Sequence, residues 1–171
     1  GPGAAYVFER ILGVWTETAK LTASDGADRD NFGCAVDVDG ANIAVGADNH
    51  GSSGLVFGTG SAYVYNDPGS GWIETDELLA SNGVAEDGFG SAVALSGDTL
   101  LVGAVQLFAG PFATQPAKAG AVYSFVDPGT GFAETQILAA GLPTVGDRFG
   151  AALDLEADRA LIGAPHDDIT R

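Results

Sequence analysis

The segment GAAYVF at residues 3–8 returns as GSAYVY at residues 60–65 and as GAVYSF at residues 120–125. The second copy starts 57 residues after the first, and the third starts 60 residues after the second. Recurrence at a period of this length is typical of proteins built from repeated structural units. The segment therefore divides the chain into three repeats, residues 3–59, 60–119 and 120–171, within one domain, residues 1–171.

Other residues recur on the same two offsets. They are the aromatic residues Trp15, Trp72 and Phe132, the glutamates Glu17, Glu74 and Glu134, the leucines Leu21, Leu78 and Leu138, and the Phe-Gly pairs at 32–33, 89–90 and 149–150. Each Phe-Gly pair precedes a Gly-Ala pair by 14 residues, and the last Gly-Ala continues as Gly-Ala-Pro at residues 163–165. So many coincidences on one pair of offsets indicate a true internal repeat.

Each repeating unit contains four short apolar runs separated by turns rich in glycine and aspartate. After the second Phe-Gly pair the runs are SAVAL (91–95), LLVGA (100–104), AVYSF (121–125) and FAETQIL (132–138). The turn VDPGTG (126–131) fixes one φ with proline and allows a positive φ at glycine, as hairpin turns require. The pattern predicts an all-β fold, and a four-stranded antiparallel sheet at this period is typical of a β-propeller blade.

Composition narrows the class of protein. Asp and Glu number 23 against 7 Lys and Arg, which gives a formal net charge of −16. Binding to a phosphate backbone requires clustered cations, so we expect no nucleic-acid partner. Membrane insertion is not expected either, because no apolar run approaches the roughly 18 residues that a spanning helix needs. Cys34 is the single cysteine, so an intrachain disulfide is excluded.

The recurring Phe-Gly and Gly-Ala elements resemble the FG-GAP repeats of integrin-type β-propellers, and most closely the short bacterial subtype. Only the third copy keeps the complete Gly-Ala-Pro, since Asp48 and Val105 follow Gly-Ala in the other two. The resemblance implies a non-catalytic module for extracellular binding or adhesion, secreted or at the cell surface of a bacterium. It also implies a protein or glycan ligand.

One feature of integrin-type blades is missing from the sequence. Those blades often carry a calcium loop between strands one and two. The corresponding turns here, DVDGAN (37–42), LSGDT (95–99) and LEADR (155–159), are short and contain few carboxylates. The calcium site of the family therefore does not carry over, and we expect no cofactor at these turns.

The order of strands along the chain does not coincide with the order within a blade. The chain opens on strands three and four (3–21) and closes on strands one and two (149–164), with continuous blades at 32–78 and 89–138. Propellers typically have four to eight blades, and the three repeats of this chain are too few to form one. We therefore expect either half of a six-bladed ring, closed by homodimerisation through shared blades, or a purely structural fragment of a larger propeller.

The longer loops, between strands two and three and between strands four and one, share one face of the sheets and are where binding residues concentrate. Asp25, Asp28 and Asp30 are the candidate ligands for Ca²⁺, because hard cations take several oxygens from one loop. The alternative for Asp30 is a structural one. Asp87 and Asp147 recur at the same place before phenylalanine, and a recurring aspartate at a loop–strand junction caps backbone N–H groups.

Other side chains in these loops are interpreted as structural. His50 and His166 lie at different distances from their Gly-Ala pairs and are expected to be surface histidines. The aromatic residues Phe57, Phe108 and Phe112 either cover the blade tops or form a binding patch. Cys34 aligns with Ser91 and Ala151 and is expected to be a small core residue.

No catalytic signature is present in the sequence. No Ser/His/Asp arrangement matches a known spacing, and paired carboxylates carry little meaning in so acidic a chain. We therefore expect a protein that is not an enzyme. The alternative is a hydrolase or lyase with its site on the loop face, which a cleft with converging carboxylates would support.

Overall fold

The computed structural model describes residues 1–53, 56–106 and 117–167, and all regular structure in these ranges is β-strand. The twelve strands of the described ranges are β1 Ala5–Ile11, β2 Val14–Leu21, β3 Ala35–Asp39, β4 Asn42–Ala47, β5 Ser61–Asn66, β6 Ile73–Leu78, β7 Phe89–Ser96, β8 Thr99–Ala104, β9 Ala121–Val126, β10 Ala133–Leu138, β11 Ala152–Glu156 and β12 Arg159–Gly163. The predicted all-β class is confirmed. The part of the chain that the structure describes contains no candidate membrane-spanning helix.

The strands form four antiparallel sheets in the predicted phase. Strands β3–β4–β5–β6 and β7–β8–β9–β10 make two four-stranded sheets, here called the first and second blades. Strands β1–β2 make a two-stranded opening half-blade, and β11–β12 make a two-stranded closing half-blade. The opening half-blade corresponds to strands three and four of a blade, and the closing one to strands one and two.

The core lies between neighbouring blades. Ala44 and Val64 of the first blade pack against Val93 and Leu95 of the second, and all four are buried. Small and branched residues on strands one to three let adjacent sheets approach closely. Phe89 is fully buried at this junction, with its ring 5.3 Å from that of Tyr123.

The Phe-Gly pairs join each blade to the segment before it. The backbone N–H of Phe32 donates to the carbonyl of Pro2 at 2.8 Å, and that of Phe89 donates to Thr59 at 3.0 Å. The third pair repeats the contact, from Phe149 to Ala119 at 2.8 Å. The phenylalanine thus joins the start of one blade to the residues that immediately precede strand three of the previous blade.

A second recurring contact joins the blades at their outer strands. Ser24 follows β2, and its N–H and hydroxyl donate to the two carboxylate oxygens of Glu74 on β6, at 2.9 and 2.7 Å. Ser81 follows β6 and makes the same pair of bonds to Glu134 on β10, also at 2.9 and 2.7 Å. The recurring glutamate therefore joins each blade to the loop of the preceding one, and we call this serine–glutamate contact the latch.

The Asp-Pro-Gly turns are closed by their aspartates. Asp127 accepts hydrogen bonds from the N–H groups of Gly129, Thr130 and Gly131 at 2.7–2.9 Å. The bonds from Gly131 and Gly129 lower the pKa of the Asp127 carboxyl, so the turn keeps an ionised acceptor. Asp67 makes the corresponding bonds in the first blade.

The recurring aromatic residues pack between blades where a preceding blade is present. Trp72 packs against the cluster around Leu21 and Phe32, and Phe132 packs against the core between the two complete blades. Trp15 occupies the same position in the opening half-blade, but it is 68 % exposed. Its side chain lacks the preceding sheet that covers the other two.

Candidate functional site

The aspartates that precede each phenylalanine cap their loops, as the repeat predicts. Asp30 accepts a hydrogen bond from the N–H of Ala27 at 2.7 Å. The counterparts Asp87 and Asp147 bond Val84 at 3.0 Å and Thr144 at 2.6 Å. All three aspartates are buried, so each fixes the loop between strands four and one from inside.

In the first blade the capping aspartate also contacts a histidine. Oδ2 of Asp30 lies 3.0 Å from Nδ1 of His50, which comes from the loop after β4. The residue beside this histidine ties the same two loops together, because Nδ2 of Asn49 donates to the carbonyl of Arg29 at 2.8 Å. The loops before β3 and after β4 therefore meet on one face of the blade.

Two further carboxylates face the other nitrogen of the imidazole. Nε2 of His50 lies 3.5 Å from Oδ2 of Asp25 and 3.6 Å from Oε1 of Glu77, near the end of β6. One ligand atom from each of these three residues lies within 4.8 Å of the others. We call Asp25, His50 and Glu77 the His50 cluster.

Neighbouring hydroxyl groups orient the carboxylates of the His50 cluster. The Tyr63 hydroxyl donates to Oδ1 of Asp25 at 2.9 Å, which leaves Oδ2 facing the histidine. The Ser61 hydroxyl donates to Oε1 of Glu77 at 2.9 Å. Burial, followed by the bond to Asp25, raises the pKa of the Tyr63 phenol, so Tyr63 remains a hydrogen-bond donor.

Backbone contacts hold His50 in place. Its N–H donates to the carbonyl of Ala47 at 3.0 Å, and its own carbonyl accepts from Gly60 at 3.1 Å. A side chain at Gly58 would place its Cβ 1.8 Å from the His50 carbonyl oxygen. Glycine at position 58 is therefore required for this loop conformation.

The second blade carries different residues at the corresponding place. Asn82 replaces Asp25 and accepts from the Tyr123 hydroxyl at 2.7 Å, and Ile137 replaces Glu77. The capping Asp87 is paired with the ammonium group of Lys118 instead of a histidine. Burial and the charge of Asp87 raise the pKa of Tyr123 to about 12. The negative charge of Asp87 is therefore balanced by the positive charge of Lys118, whereas the His50 cluster brings two carboxylates together around one imidazole.

The three aspartates predicted as calcium ligands have different partners. Asp25 and Asp30 meet at opposite nitrogens of His50, and the strongly exposed Asp28 lies 3.3 Å from the amine of Gly1. The turn between strands one and two has a structural role. Asp37 accepts from the N–H of Leu95 at 2.7 Å and Asp39 from that of Gly97 at 2.6 Å, which joins the two blades.

The expectation that both histidines lie at the surface is wrong for His50. Its side chain is only 19 % exposed, because Asp30, Tyr63 and the loop backbone enclose it. His166 is exposed. Sequence reasoning also missed Glu77, although one signal was present. Asp25 and Glu77 depart from the repeat, where Asn82 and Ile137 stand.

Among the described residues, the other predicted side chains, Phe57 and Cys34, are not members of the His50 cluster. Phe57 is exposed, while Phe108 and Phe112 lie outside the described residues. The prediction of Cys34 as a core residue is wrong, because the residue is exposed. Its sulfur faces the carbonyl of Gly90 at 3.4 Å, and partial desolvation together with the charge of Asp48 raises its pKa to about 11. A thiol held protonated in this way is a poor nucleophile.

Four-stranded antiparallel sheets joined by recurring Phe-Gly contacts define a repeat protein of the β-propeller type. The family model of the FG-GAP repeat matches residues 15–65 and 72–125, more than half of the chain. The chain belongs to the FG-GAP repeat family. Repeats of this family are typical of extracellular proteins. No curated protein matches the chain.

Proposed function

We propose that this chain is a non-catalytic, extracellular binding module that assembles with itself. A second molecule of the chain, here called the partner, joins its opening half-blade to the closing half-blade of the first. Two such seams close a symmetric six-bladed ring. The observation that carries the proposal is the exposure of core-type residues along both half-blades.

The opening half-blade presents aromatic side chains that a complete blade buries. Tyr6 is 54 % exposed and Phe8 is 51 % exposed. The corresponding residues of the first blade, Tyr63 and Tyr65, are 0 % and 3 % exposed. Burying an aromatic or aliphatic side chain contributes about 1.5–3 kcal/mol of favourable free energy. The exposed side chains of the opening half-blade therefore favour association.

An apolar groove lies where the missing strands would pack. It has a volume of about 540 Å³ and is lined in part by Tyr6, Phe8, Val36 and Val38. On the closing half-blade, Leu161 is 72 % exposed. The repeat relates Leu161 to Ala44, and it relates Val36 and Val38 to Val93 and Leu95. Between the first and second blades, Ala44 packs against Val93 and Leu95. Leu161 would pack in the same way against the two valines of the partner.

The register of the complete blades supports a specific seam. Strand two pairs with strand three so that Gly46 lies opposite Ala62 and Asn42 lies opposite Asn66. The same register across the seam would put Arg159 of one molecule opposite Glu9 of the partner. Directly opposed residues share one face of a sheet, and opposite charges there are stabilising. One pair of opposite charges would therefore meet across the proposed seam.

A glycine of the closing half-blade supports the same seam. Added Cβ atoms at Gly46 and Gly103 would lie 1.9 and 2.3 Å from carbonyl oxygens of the next blade. At the equivalent Gly163 the nearest atom is the Cβ of Ala152, 3.3 Å away in the same hairpin. The described chain leaves the space beyond this hairpin open, and the start of the partner's first blade would fill it.

A charge exchange tests the seam. Arg159→Glu places two carboxylates opposite each other across the seam, and Glu9→Arg places two cations there, so each variant alone should dimerise less tightly. We expect roughly thirtyfold weaker association, since about 1 kcal/mol is lost at each of two seams. An equimolar mixture should recover the affinity, because one seam of the mixed dimer then pairs the exchanged charges and the other keeps the original pair. Sedimentation velocity of each variant and of the mixture measures this.

A matched pair of apolar substitutions controls for general loss of solubility. Leu161→Glu at the seam should give a monomer, whereas Leu79→Glu, at an exposed position beyond β6, should leave the dimer intact. Equal effects of the two substitutions, or no recovery in the mixture of charge variants, would contradict this seam.

The loop face is the proposed ligand-binding surface of the ring. A cavity of about 400 Å³ lies among these loops and is lined in part by Arg29, Asp48, Asn49 and Phe57. Ligand pockets commonly have about 300–1,000 Å³ of volume and combine apolar and polar groups. Glycan and protein arrays probed with the assembled protein should give a defined ligand whose binding falls in Phe57→Ser. Binding that is unaffected by this substitution would place the ligand elsewhere.

A further inference from the structure

We propose that the His50 cluster is a binding site for a zinc-class divalent cation. Asp25 and Glu77 would each supply one carboxylate oxygen, and His50 would supply Nε2. The three residues come from the loop after β2, the loop after β4 and strand β6 of a single chain. The site is therefore complete without the partner, and it can be tested separately from assembly.

The two separations between the imidazole nitrogen and the carboxylate oxygens fit a tetrahedral metal. Bonds of about 2.0–2.2 Å from zinc to nitrogen and oxygen place neighbouring ligand atoms roughly 3.3–3.6 Å apart. Nε2 of His50 lies 3.5 Å from Oδ2 of Asp25 and 3.6 Å from Oε1 of Glu77. Three protein ligands leave a fourth position for a water molecule, and the side chain of Asp25 is 45 % exposed to solvent.

Each ligand is oriented by a second group, as in established zinc sites. Metal-binding histidines usually give their other ring N–H to a carboxylate, and Nδ1 of His50 lies 3.0 Å from Oδ2 of Asp30. Tyr63 and Ser61 donate to the two carboxylates and fix which oxygens face the imidazole. An incidental group of surface acids would lack these partners.

The charge around His50 also favours a cation. Asp25, Asp30 and Glu77 surround one imidazole, with carboxylate oxygens 3.0–3.6 Å from its two ring nitrogens. Asp30 is 1 % exposed, and its Oδ1 is buried without a hydrogen-bond partner. The corresponding aspartate of the second blade is neutralised by Lys118, so the first blade has the greater requirement for positive charge.

The donor set favours zinc over calcium. Calcium takes six to eight oxygen ligands, whereas imidazole nitrogen combined with few carboxylates suits zinc and similar transition metals. Asp28, which would extend the set toward an oxygen-rich loop, is paired with the N-terminal amine. We therefore expect selectivity for Zn²⁺ over Ca²⁺.

Calorimetric titration of the metal-free chain with Zn²⁺ alone tests the site. The expected result is one saturable site per chain, with no comparable signal for Ca²⁺. His50→Gln and Glu77→Gln should each weaken Zn²⁺ binding at least a hundredfold. Asp30→Asn retains an acceptor for the Ala27 N–H but removes the charge behind the imidazole, and it should weaken binding about tenfold.

Asp28→Asn is the matched control, because it removes an acidic group of the same loop that is not in the cluster. It should bind Zn²⁺ as the unmodified chain does. Circular dichroism of each variant establishes that it is folded, and the two glutamine variants provide independent tests should one fail to fold. The absence of saturable Zn²⁺ binding, or equal binding by the glutamine variants and the unmodified chain, would overturn the proposal.

Discussion

Gly46 shows how a single residue sets the distance between two blades. It lies in β4 with an ordinary backbone conformation, so glycine is not needed there for its φ. An added Cβ would lie 1.9 Å from the carbonyl oxygen of Gly90 in the next blade. The absence of a side chain is therefore what lets the strands approach, and Gly103 repeats the arrangement against Gly150.

Gly46→Ala should therefore destabilise the fold through steric overlap alone. Overpacking of this kind costs about 1–3 kcal/mol of unfolding free energy. Gly141→Ala is the matched control, because Gly141 also lacks a positive φ and has no atom within 4 Å of an added Cβ. Urea denaturation should separate the two variants. Equal stabilities would mean that the blades tolerate a wider spacing.

Residue roles could be predicted from sequence where they repeat. The caps by Asp30, Asp87 and Asp147 followed from their fixed place before phenylalanine, and the structure confirms them. His50 and Glu77 were missed because they meet only after two loops and a strand fold together. The departure of Asp25 and Glu77 from the repeat marks two of the positions but does not show that the side chains meet.

At the scale of elements, strand order and phase followed from the spacing of the repeats, but the irregularities within strands did not. In each pair formed by strands three and four, β1–β2, β5–β6 and β9–β10, one residue has no partner in the register. These residues are Thr18, Thr75 and Thr135. Each threonine hydroxyl donates to a backbone carbonyl of the neighbouring strand. Such β-bulges interrupt the alternation of faces on which strand prediction depends, so periodicity alone could not locate them.

The latch between Ser81 and Glu134 should be measurable as a coupling between elements. Ser81→Ala removes a hydroxyl hydrogen bond and should cost about 1 kcal/mol of unfolding free energy. Glu134→Gln weakens the same contact, and the double variant should cost less than the sum of the two. Chemical denaturation of the four proteins provides the cycle. Additive effects would mean that the latch contributes nothing to stability.

At the scale of the whole molecule, the sequence predicted two complete blades between two half-blades, and the described strands have that arrangement. The number of blades in a ring cannot be predicted from one chain, because the wedge angle between sheets depends on packing across every junction. Exposed aromatic and aliphatic residues distinguish β1, β3 and β12 from their buried counterparts, and the proposed seam would cover them. Self-assembly is thus the property of the whole molecule that these exposed residues favour most strongly.

The molar mass of the unmodified chain in solution tests this claim most directly. Sedimentation equilibrium over a range of concentrations should give twice the chain mass of 17.2 kDa, since two molecules close the proposed ring. A mass of 17.2 kDa at all concentrations would contradict the account, because the exposed edges would then persist without a partner.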